Sequence, residues 1–456
     1  MDKTRVYLER SKSSPINLWI GRENDLSPHD SLLQVIPHAT SRLKSLTVFT
    51  TPERIDHITT HLSHPASHIE HLSIYCGSGF EPTSQPMLKT ALFNGDLSSL
   101  RTLYLMRVRT ELPWKNMVNL TSFTLGHTPL GEVSIERLLD FLDSAPRLEI
   151  VKLESATPTS GAQNGRLVSL ERLKWMSILG DRPCSSLLLD HLLIPVGAKL
   201  SMLTNSFGGG FEGHLPKSLD NLRNLSDFTN ITLDFNGTRS DVRFTGPNGQ
   251  VTLTCVFSPI NTTSLAFECL AQIDTSKTEW LEINRGNPPS RDPPYRALLR
   301  MGNLHELKLS RCQSPHLFIR ALHPGISSSG AVVCPKLEDL VLVLRTNSET
   351  FNIKNLIGMA AARALMGEKL RTVKIVGGQG EPDPDSVLEL GKYVSHVEYA
   401  PGTGGVDDYS DGFVDDSDED SGDSDDSDDR IRDDGEDSVE DSVEDSGDSG
   451  DSDGGW

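Results

Sequence analysis

The sequence lacks the features that mark membrane-spanning and secreted proteins. No apolar run approaches the ~20 residues that a helix needs to cross a bilayer, and the best candidate, residues 187–196, is interrupted by Asp190 and His191. The first residues contain no apolar stretch typical of a signal peptide. The six cysteines include no C-x-x-C pair, which is typical of reduced, buried thiols. We therefore expect a protein of the cytoplasm or nucleus with no membrane partner.

The sequence also lacks any residue constellation typical of catalysis, cofactor binding or metal binding. The run of glycines at 208–210 is not followed by the Lys and Ser or Thr of a phosphate-binding loop. Two histidine pairs with i, i+4 spacing lie between residues 57 and 68, but Pro65 breaks the helix between them and no cysteine or carboxylate pair completes a ligand set. We therefore expect a protein that is not an enzyme and that uses no cofactor or metal.

Basic residues are nearly missing from the C-terminal end of the chain. Residues 407–456 contain 24 acidic and 2 basic residues, whereas the other 406 contain 40 acidic and 41 basic, so the net charge of −21 belongs to this end. The rest of the chain has no basic excess of the kind that binds nucleic acid, and we expect no nucleic-acid partner. Because a segment rich in Asp, Glu, Ser and Gly cannot bury enough apolar surface to fold, residues 406–456 are predicted to form a disordered acidic tail.

What the sequence does contain is a recurring leucine pattern. Leu304, Leu307 and Leu309 occupy the first, fourth and sixth places of a short phrase, which returns from Leu337 and from Leu370 at steps of 33 residues. This is the phrase of leucine-rich repeats, in which each repeat contributes one short strand to a shared core. Looser copies begin at Pro15, Leu43, Ile69, Leu100, Leu120, Leu148, Leu170, Leu200, Phe228 and Val394.

One copy cannot bury its apolar side chains alone, so the copies are expected to stack. The pattern predicts an α/β fold, an irregular leucine-rich-repeat solenoid over residues 1–405. Between 228 and 257 the rhythm changes to alternation with a period of two, and Asn248-Gly249 is a strong hairpin signal. We therefore expect a small β-hairpin insertion there, which divides the repeats into an N-terminal and a C-terminal set.

The register of the phrase assigns each strand residue to the core or to the opposite face. In the copies that begin at Leu170 and Leu200 it places Trp175, Leu203 and Asn205 in the core. The third, fifth and seventh places point away from the core because side chains alternate along a strand. These places supply the candidate protein-binding face: Tyr104, Met106, Arg172, Lys174, Glu306, Lys308 and Lys374. Tyr104 with Met106 is the expected anchor, because aromatic residues dominate binding hot spots.

The stretch from Tyr7 to Leu18, followed by the leucine ladder to about Tyr399, resembles the F-box/leucine-rich-repeat-like proteins of mushroom-forming fungi. The resemblance implies a non-enzymatic module similar to the substrate-recognition part of an F-box subunit of a ubiquitin ligase, with an unidentified protein as its partner. Only six residues precede Tyr7, so we expect the N-terminal F-box to be missing. A link to the ubiquitin-ligase adaptor is expected only if an F-box is supplied upstream.

Two alternatives stay open at this point. Ran GTPase-activating proteins also join leucine-rich repeats to an acidic tail, but the asparagine ladder of their regular repeats is missing here and no arginine finger can be assigned. The chain would then regulate a GTPase. The other alternative is a free-standing scaffold that binds basic partners through its acidic tail, although the tail would equally serve to keep the protein in solution.

Overall fold

A computed structural model shows a mixed α/β protein with one long, largely parallel sheet. The contacts between Cα atoms divide the chain into Met1–Gly404 and Gly405–Trp456, and every element below belongs to the first unit. The predicted tail, the glycine run at 208–210 and Asn205 lie outside the described residues. The structure describes residues 3–21, 36–77, 87–88, 92–110, 117–127, 134–155, 165–180, 182–204, 215–216, 219–225, 227–237, 239–256, 262–288, 290–326, 332–344, 351–377 and 383–400.

The strands are short, and most have five residues. In chain order they are β1 (Ile16–Ile20), β2 (Leu43–Thr50), β3 (His71–Cys76), β4 (Met87–Leu88), β5 (Thr102–Met106), β6 (Arg109–Thr110), β7 (Ser122–Gly126), β8 (Ile150–Glu154), β9 (Val168–Ser169), β10 (Trp175–Leu179), β11 (Leu192–Leu193), β12 (Lys199–Thr204), β13 (Asn230–Asn236), β14 (Arg239–Gly246), β15 (Gly249–Val256), β16 (Trp280–Asn284), β17 (Glu306–Ser310), β18 (Asp339–Val343), β19 (Thr372–Val376) and β20 (His396–Ala400).

The first helix precedes β1, and the other helices lie between strands along the chain. They are α1 (Lys3–Ser11), α2 (Ile36–Ala39), α3 (Ile55–His61), α4 (Ile135–Ser144), α5 (Arg182–Leu189), α6 (Thr262–Leu270), α7 (Asp292–Leu299), α8 (Pro315–Ala321), α9 (Ile353–Leu365) and α10 (Pro384–Tyr393). Single 3-10 turns lie at Thr40–Arg42, Pro52–Arg54, Leu219–Asn221, Arg223–Leu225 and Pro324–Ile326, with a kinked turn at Leu92–Gly95.

Sixteen of these strands form one sheet, in the order β1-β2-β3-β5-β7-β8-β10-β12-β15-β14-β13-β16-β17-β18-β19-β20. On either side of three central antiparallel strands, each strand pairs in parallel with the next strand of this sheet along the chain. This order is expected when each stretch of 20 to 33 residues adds one strand to the sheet. The remaining strands form two separate pairs, β4 with β6 and β9 with β11.

The predicted hairpin is part of a three-stranded antiparallel meander at the centre of the sheet. β14 pairs antiparallel with both β13 and β15, and Gly246 lies opposite Gly249 at the turn that the Asn-Gly signal indicated. The outer strands of the meander pair parallel with β12 and with β16. The meander therefore joins the two sets of strands into one continuous sheet.

One face of the sheet is buried against the helices. The fourth and sixth places are buried in the copies that begin at Leu43, Ile69, Leu100, Leu120, Leu148, Phe228, Leu304, Leu337 and Leu370, as predicted. Helix residues complete this core; for example, the rings of Phe123 in β7 and Phe141 in α4 lie 4.4 Å apart. In the C-terminal half the helices α6 to α10 pack against each other in chain order. Burial of each large apolar side chain stabilises the fold by about 1.5–3 kcal/mol.

Two copies have a different register from the one predicted. In β10 the core residues are Met176 and Ile178, and Trp175 is half-exposed. In β12 the core residues are Leu200 and Met202, and Leu203 is half-exposed. The prediction is wrong here because leucine can fill both the first and the fourth place of the phrase, which are three residues apart, and the phrase was aligned three residues away from its true position. Since side chains alternate along a strand, a shift of three residues exchanges the two faces.

Candidate protein-binding face

The face of the sheet opposite the core presents aligned rows of side chains. Because neighbouring strands pair in parallel register, each residue of this face lies beside its counterpart on the next strand. One row runs through Trp19, Thr47, Ser73, Tyr104 and Thr124. The next row toward the C-terminal ends of the strands runs through Phe49, Tyr75, Met106 and Gly126.

Four aromatic side chains from four neighbouring strands stack across these two rows, and we call them the aromatic row. The ring of Trp19 lies 6.3 Å from that of Phe49, Phe49 lies 4.6 Å from Tyr75, and Tyr75 lies 4.6 Å from Tyr104. The last two pairs are stacked, with interplanar angles of 14° and 28°. Aromatic pairs of this kind contribute about 0.5–1.5 kcal/mol each beyond the area that they bury.

The aromatic row is accessible. Trp19 is 65% exposed, and the other three side chains are half-buried. The rings are held in place by one another rather than by the core, since they lie on the opposite face of the sheet. A partner that contacts them would therefore meet side chains that are already ordered, which reduces the entropy lost on binding.

Met106 extends this apolar surface beyond Tyr75. A Cβ atom at Gly126 on the next strand would lie 2.5 Å from Met106 Sδ and 2.7 Å from its Cε, so the glycine leaves the space that the methionine side chain fills. The structure thus brings both predicted anchor residues, Tyr104 and Met106, into one apolar surface. Sequence reasoning missed Phe49 and Tyr75, although both occupy the seventh place of their copies and Trp19 occupies a fifth place.

The electrostatics of this surface favour a neutral phenol. Burial raises the pKa of Tyr104 above its ordinary value, and the neighbouring Tyr75 and the carboxylate of Glu154 raise it further. Tyr104 therefore keeps its proton at neutral pH, and its hydroxyl can donate a hydrogen bond.

The predicted residues of the C-terminal half lie on the same face, and Lys308 and Lys374 form ion pairs between strands. Lys308 Nζ lies 2.8 Å from Glu282 Oε1, and Lys374 Nζ lies 3.1 Å from Glu398 Oε2. Glu306 is half-exposed and lies beside Trp280 of the neighbouring strand β16. Partly exposed pairs of this kind contribute little to stability and are ordinary features of a solvated sheet.

The remaining two predicted residues are not on the face. Arg172 and Lys174 precede β10, and Lys174 Nζ lies 2.7 Å from Oε2 of Glu149, the residue before β8. The shifted register places Trp175 on the face instead, where Lys152 Nζ lies 4.5 Å from the centre of its indole ring. The prediction for these two residues is therefore wrong, for the same reason as the prediction of a buried Trp175.

Two further observations concern the described part of the chain. None of its helices is long and apolar enough to cross a membrane. Within the same residues no three or more His, Cys, Asp or Glu side chains are grouped so that they could hold a metal ion, and the rings of His57 and His61 pack edge to face at 5.0 Å.

Comparisons with known proteins find similarity among solved structures. No family model matches the chain, and no curated protein matches it. A solved structure, that of a TLR13–ssRNA13 complex, is similar with 14% sequence identity and a TM-score of 0.33, over 79% of this chain and 50% of that chain. The chain thus spans about half the length of the solved chain.

Proposed function

We propose that this chain is a leucine-rich-repeat solenoid that binds another protein through the exposed face of its strands and catalyses no reaction. The aromatic row is the observation that carries the proposal, because it places Trp19 and three half-buried rings side by side on an otherwise hydroxyl-rich sheet face. Aromatic side chains are enriched among residues that contribute most to protein–protein binding.

The repeat architecture supports the same proposal. Thirteen of the sixteen strands of the main sheet coincide with copies of one sequence phrase, and stacked repeats act by presenting an extended surface. The rows of the face continue over sixteen strands, which gives a partner many points of contact. Tyr104 and Met106 lie near one end of this surface and Lys374 near the other.

The resemblance that begins at Tyr7 supports a more specific proposal. With an F-box supplied upstream of Tyr7, the bound protein would be a substrate presented to a ubiquitin ligase in the cytoplasm or nucleus. Removal of this chain from cells should then lengthen the half-life of the bound protein. An unchanged half-life would refute the ligase role and leave the binding role in place.

Binding itself is tested with variants of the aromatic row. We expect Trp19→Ala and Tyr104→Ala each to weaken the affinity for a partner identified by affinity purification by about 30-fold, the effect of losing a hot-spot residue. Leu365→Ala is the matched control, since Leu365 is an apolar residue on helix α9 that is 88% exposed. Isothermal titration calorimetry with the purified partner measures the affinities, and circular dichroism confirms that each variant is folded.

Equal affinities for the wild type and both aromatic variants would show that the partner binds elsewhere. The same calorimeter, with a small GTPase and GTP in the cell, would show whether adding this chain accelerates GTP hydrolysis. That result would replace the binding proposal by an enzymatic one.

A further inference from the structure

A polar groove of about 360 Å³ lies where several strands of the N-terminal half begin. Its lining includes three basic residues, Arg101, Arg147 and Arg172, and two acidic residues, Glu70 and Glu149. Its volume is comparable to that of small ligand-binding clefts. The groove contains one predicted residue of the protein-binding face, Arg172, although not at the place that the sequence indicated.

The backbone fixes the spacing of four lining residues, Glu70, Arg101, Thr121 and Glu149. The N–H of Arg101 donates to the carbonyl of Glu70, the N–H of Thr121 donates to the carbonyl of Arg101, and the N–H of Glu149 donates to the carbonyl of Thr121, each at 2.8 Å. The hydrogen-bonded ladder of the sheet thus continues one residue before each strand. Neighbouring residues of this row are therefore about 4.8 Å apart, the spacing of strands in a sheet.

The two carboxylates of the groove have lysine partners nearby. Glu70 Oε2 lies 3.7 Å from Lys44 Nζ, and Glu149 Oε2 lies 2.7 Å from Lys174 Nζ. Neither lysine is part of the groove lining. The negative charge of the groove is thus largely balanced from outside.

The arginines are balanced to a smaller extent. Arg147 donates to Asn119 Oδ1 at 2.6 Å, which satisfies a hydrogen bond but supplies no negative charge. The side chains of Arg101 and Arg172 form no hydrogen bond or ion pair with any residue that the structure describes. Three arginines therefore line the groove, and the guanidinium groups of two of them have no partner among the described residues.

We propose that this groove binds an oxyanion, a carboxylate or a phosphate, carried by an extended segment of the protein partner. A guanidinium group presents parallel N–H donors that match both oxyanions in a bidentate geometry. The inference rests on the proposed function, because the groove adjoins the strands that carry the aromatic row. Arg101 directly precedes β5, and Tyr104 lies three residues further along the chain. The two residues are therefore about 10 Å apart, so one extended segment can contact both.

The groove is tested on the full chain with two probes, inorganic phosphate and glutarate, at constant ionic strength. We expect saturable shifts of the Nε–H resonances of Arg101 and Arg172 in nuclear magnetic resonance spectra, with a dissociation constant of about 1 mM. Tighter binding of phosphate would identify a phosphorylated residue as the natural ligand, and tighter binding of glutarate would identify Asp or Glu. Shifts that grow linearly without saturation in both titrations would refute the proposal.

Variants separate the geometry of the groove from its charge. We expect Arg101→Ala with Arg172→Ala to weaken both probe binding and partner binding at least about tenfold, and the paired Lys variants to give an intermediate loss, because Lys keeps the charge and loses the bidentate geometry. Arg137→Ala with Arg296→Ala is the matched control, since it removes the same charge from exposed positions on α4 and α7.

The outcomes distinguish this inference from the proposed function. If the paired Ala variants of the groove bind the partner as tightly as the wild type while Trp19→Ala does not, the groove proposal is wrong and the binding face stands. If no variant of the aromatic row changes partner affinity but the groove variants do, the aromatic row is not the binding surface and the groove is.

Discussion

Met176 and Trp175 are neighbours on β10, and together they test where the core of this repeat lies. Met176 is 0% exposed and is in register with Val151 on β8 and Leu200 on β12. Trp175 is half-exposed on the opposite face, where its ring lies beside Lys152. We therefore expect Met176→Ala to destabilise the fold more than Trp175→Ala, although it removes fewer atoms.

The expected magnitudes differ clearly. Truncation of a fully buried methionine removes its transfer free energy and leaves a cavity between three strands, which costs about 2–5 kcal/mol. Truncation of Trp175 removes a cation–π contact worth about 0.5–1 kcal/mol at an exposed site, and some partly buried ring surface. Ser177→Ala, on the same face of β10 as Trp175, is the control and should change the stability by less than about 0.5 kcal/mol.

Urea unfolding followed by far-ultraviolet circular dichroism measures these differences through the shift of the midpoint. Native-state hydrogen exchange of the amides in β8, β10 and β12 locates the loss, because a long sheet of this kind need not unfold in one step. A larger loss for Trp175→Ala than for Met176→Ala would place the indole in the core. That result would refute the register described here and restore the one that the leucine phrase predicted.

Three further predictions concern buried polar groups and the turn of the meander. Arg363→Ala should lower the stability by about 2–5 kcal/mol in thermal unfolding, because Arg363 is 0% exposed and its guanidinium satisfies two buried backbone carbonyls at 2.7 and 2.9 Å. Burial, together with the facing Asp241, raises the pKa of Asp234 above 3.8, so ionisation is less favourable in the folded chain than in the unfolded one. Wild-type stability relative to Asp234→Asn should therefore fall as the pH rises through this pKa, and melting temperatures that run parallel across the acid range would contradict it. Gly246→Ala should destabilise the meander, since its Cβ would overlap the backbone oxygen of Asp227, and an unchanged melting temperature would contradict that contact.

The leucine phrase identified the strands because the period of a strand is encoded locally. The copies at Leu304, Leu337 and Leu370 have leucine, valine or isoleucine at both core places, and the structure buries all of these side chains. The copies at Leu170 and Leu200 are ambiguous, because leucines separated by three residues fit the first and fourth places in more than one way. At Leu170 both registers are apolar, so a local pattern cannot choose between them, whereas the neighbouring strands can. At Leu200 the polar Asn205 at a core place was itself a local sign against the predicted register.

The binding face shows the same division. The alternation of side chains along a strand was enough to place Tyr104, Met106, Glu306, Lys308 and Lys374 on one face. The pairing of strands is what brings Tyr104 into contact with Tyr75, a residue 29 positions earlier in the chain. The groove around Arg101 and Arg172 has no sequence signature, because its residues come from loops that become neighbours only when the strands align.

The sequence by itself determined that this chain forms short strands at repeated intervals, that the rhythm changes near residues 228–257, and that the acidic charge is concentrated at the C-terminal end. Each of these properties depends on residues close together in the chain. Only the tertiary structure decided the register of β10 and β12, the stacking of Trp19, Phe49, Tyr75 and Tyr104, and the position of Arg172 in a groove rather than on the face. These depend on hydrogen bonds and packing between strands that are 20 or more residues apart, and such contacts exist only after the strands have paired.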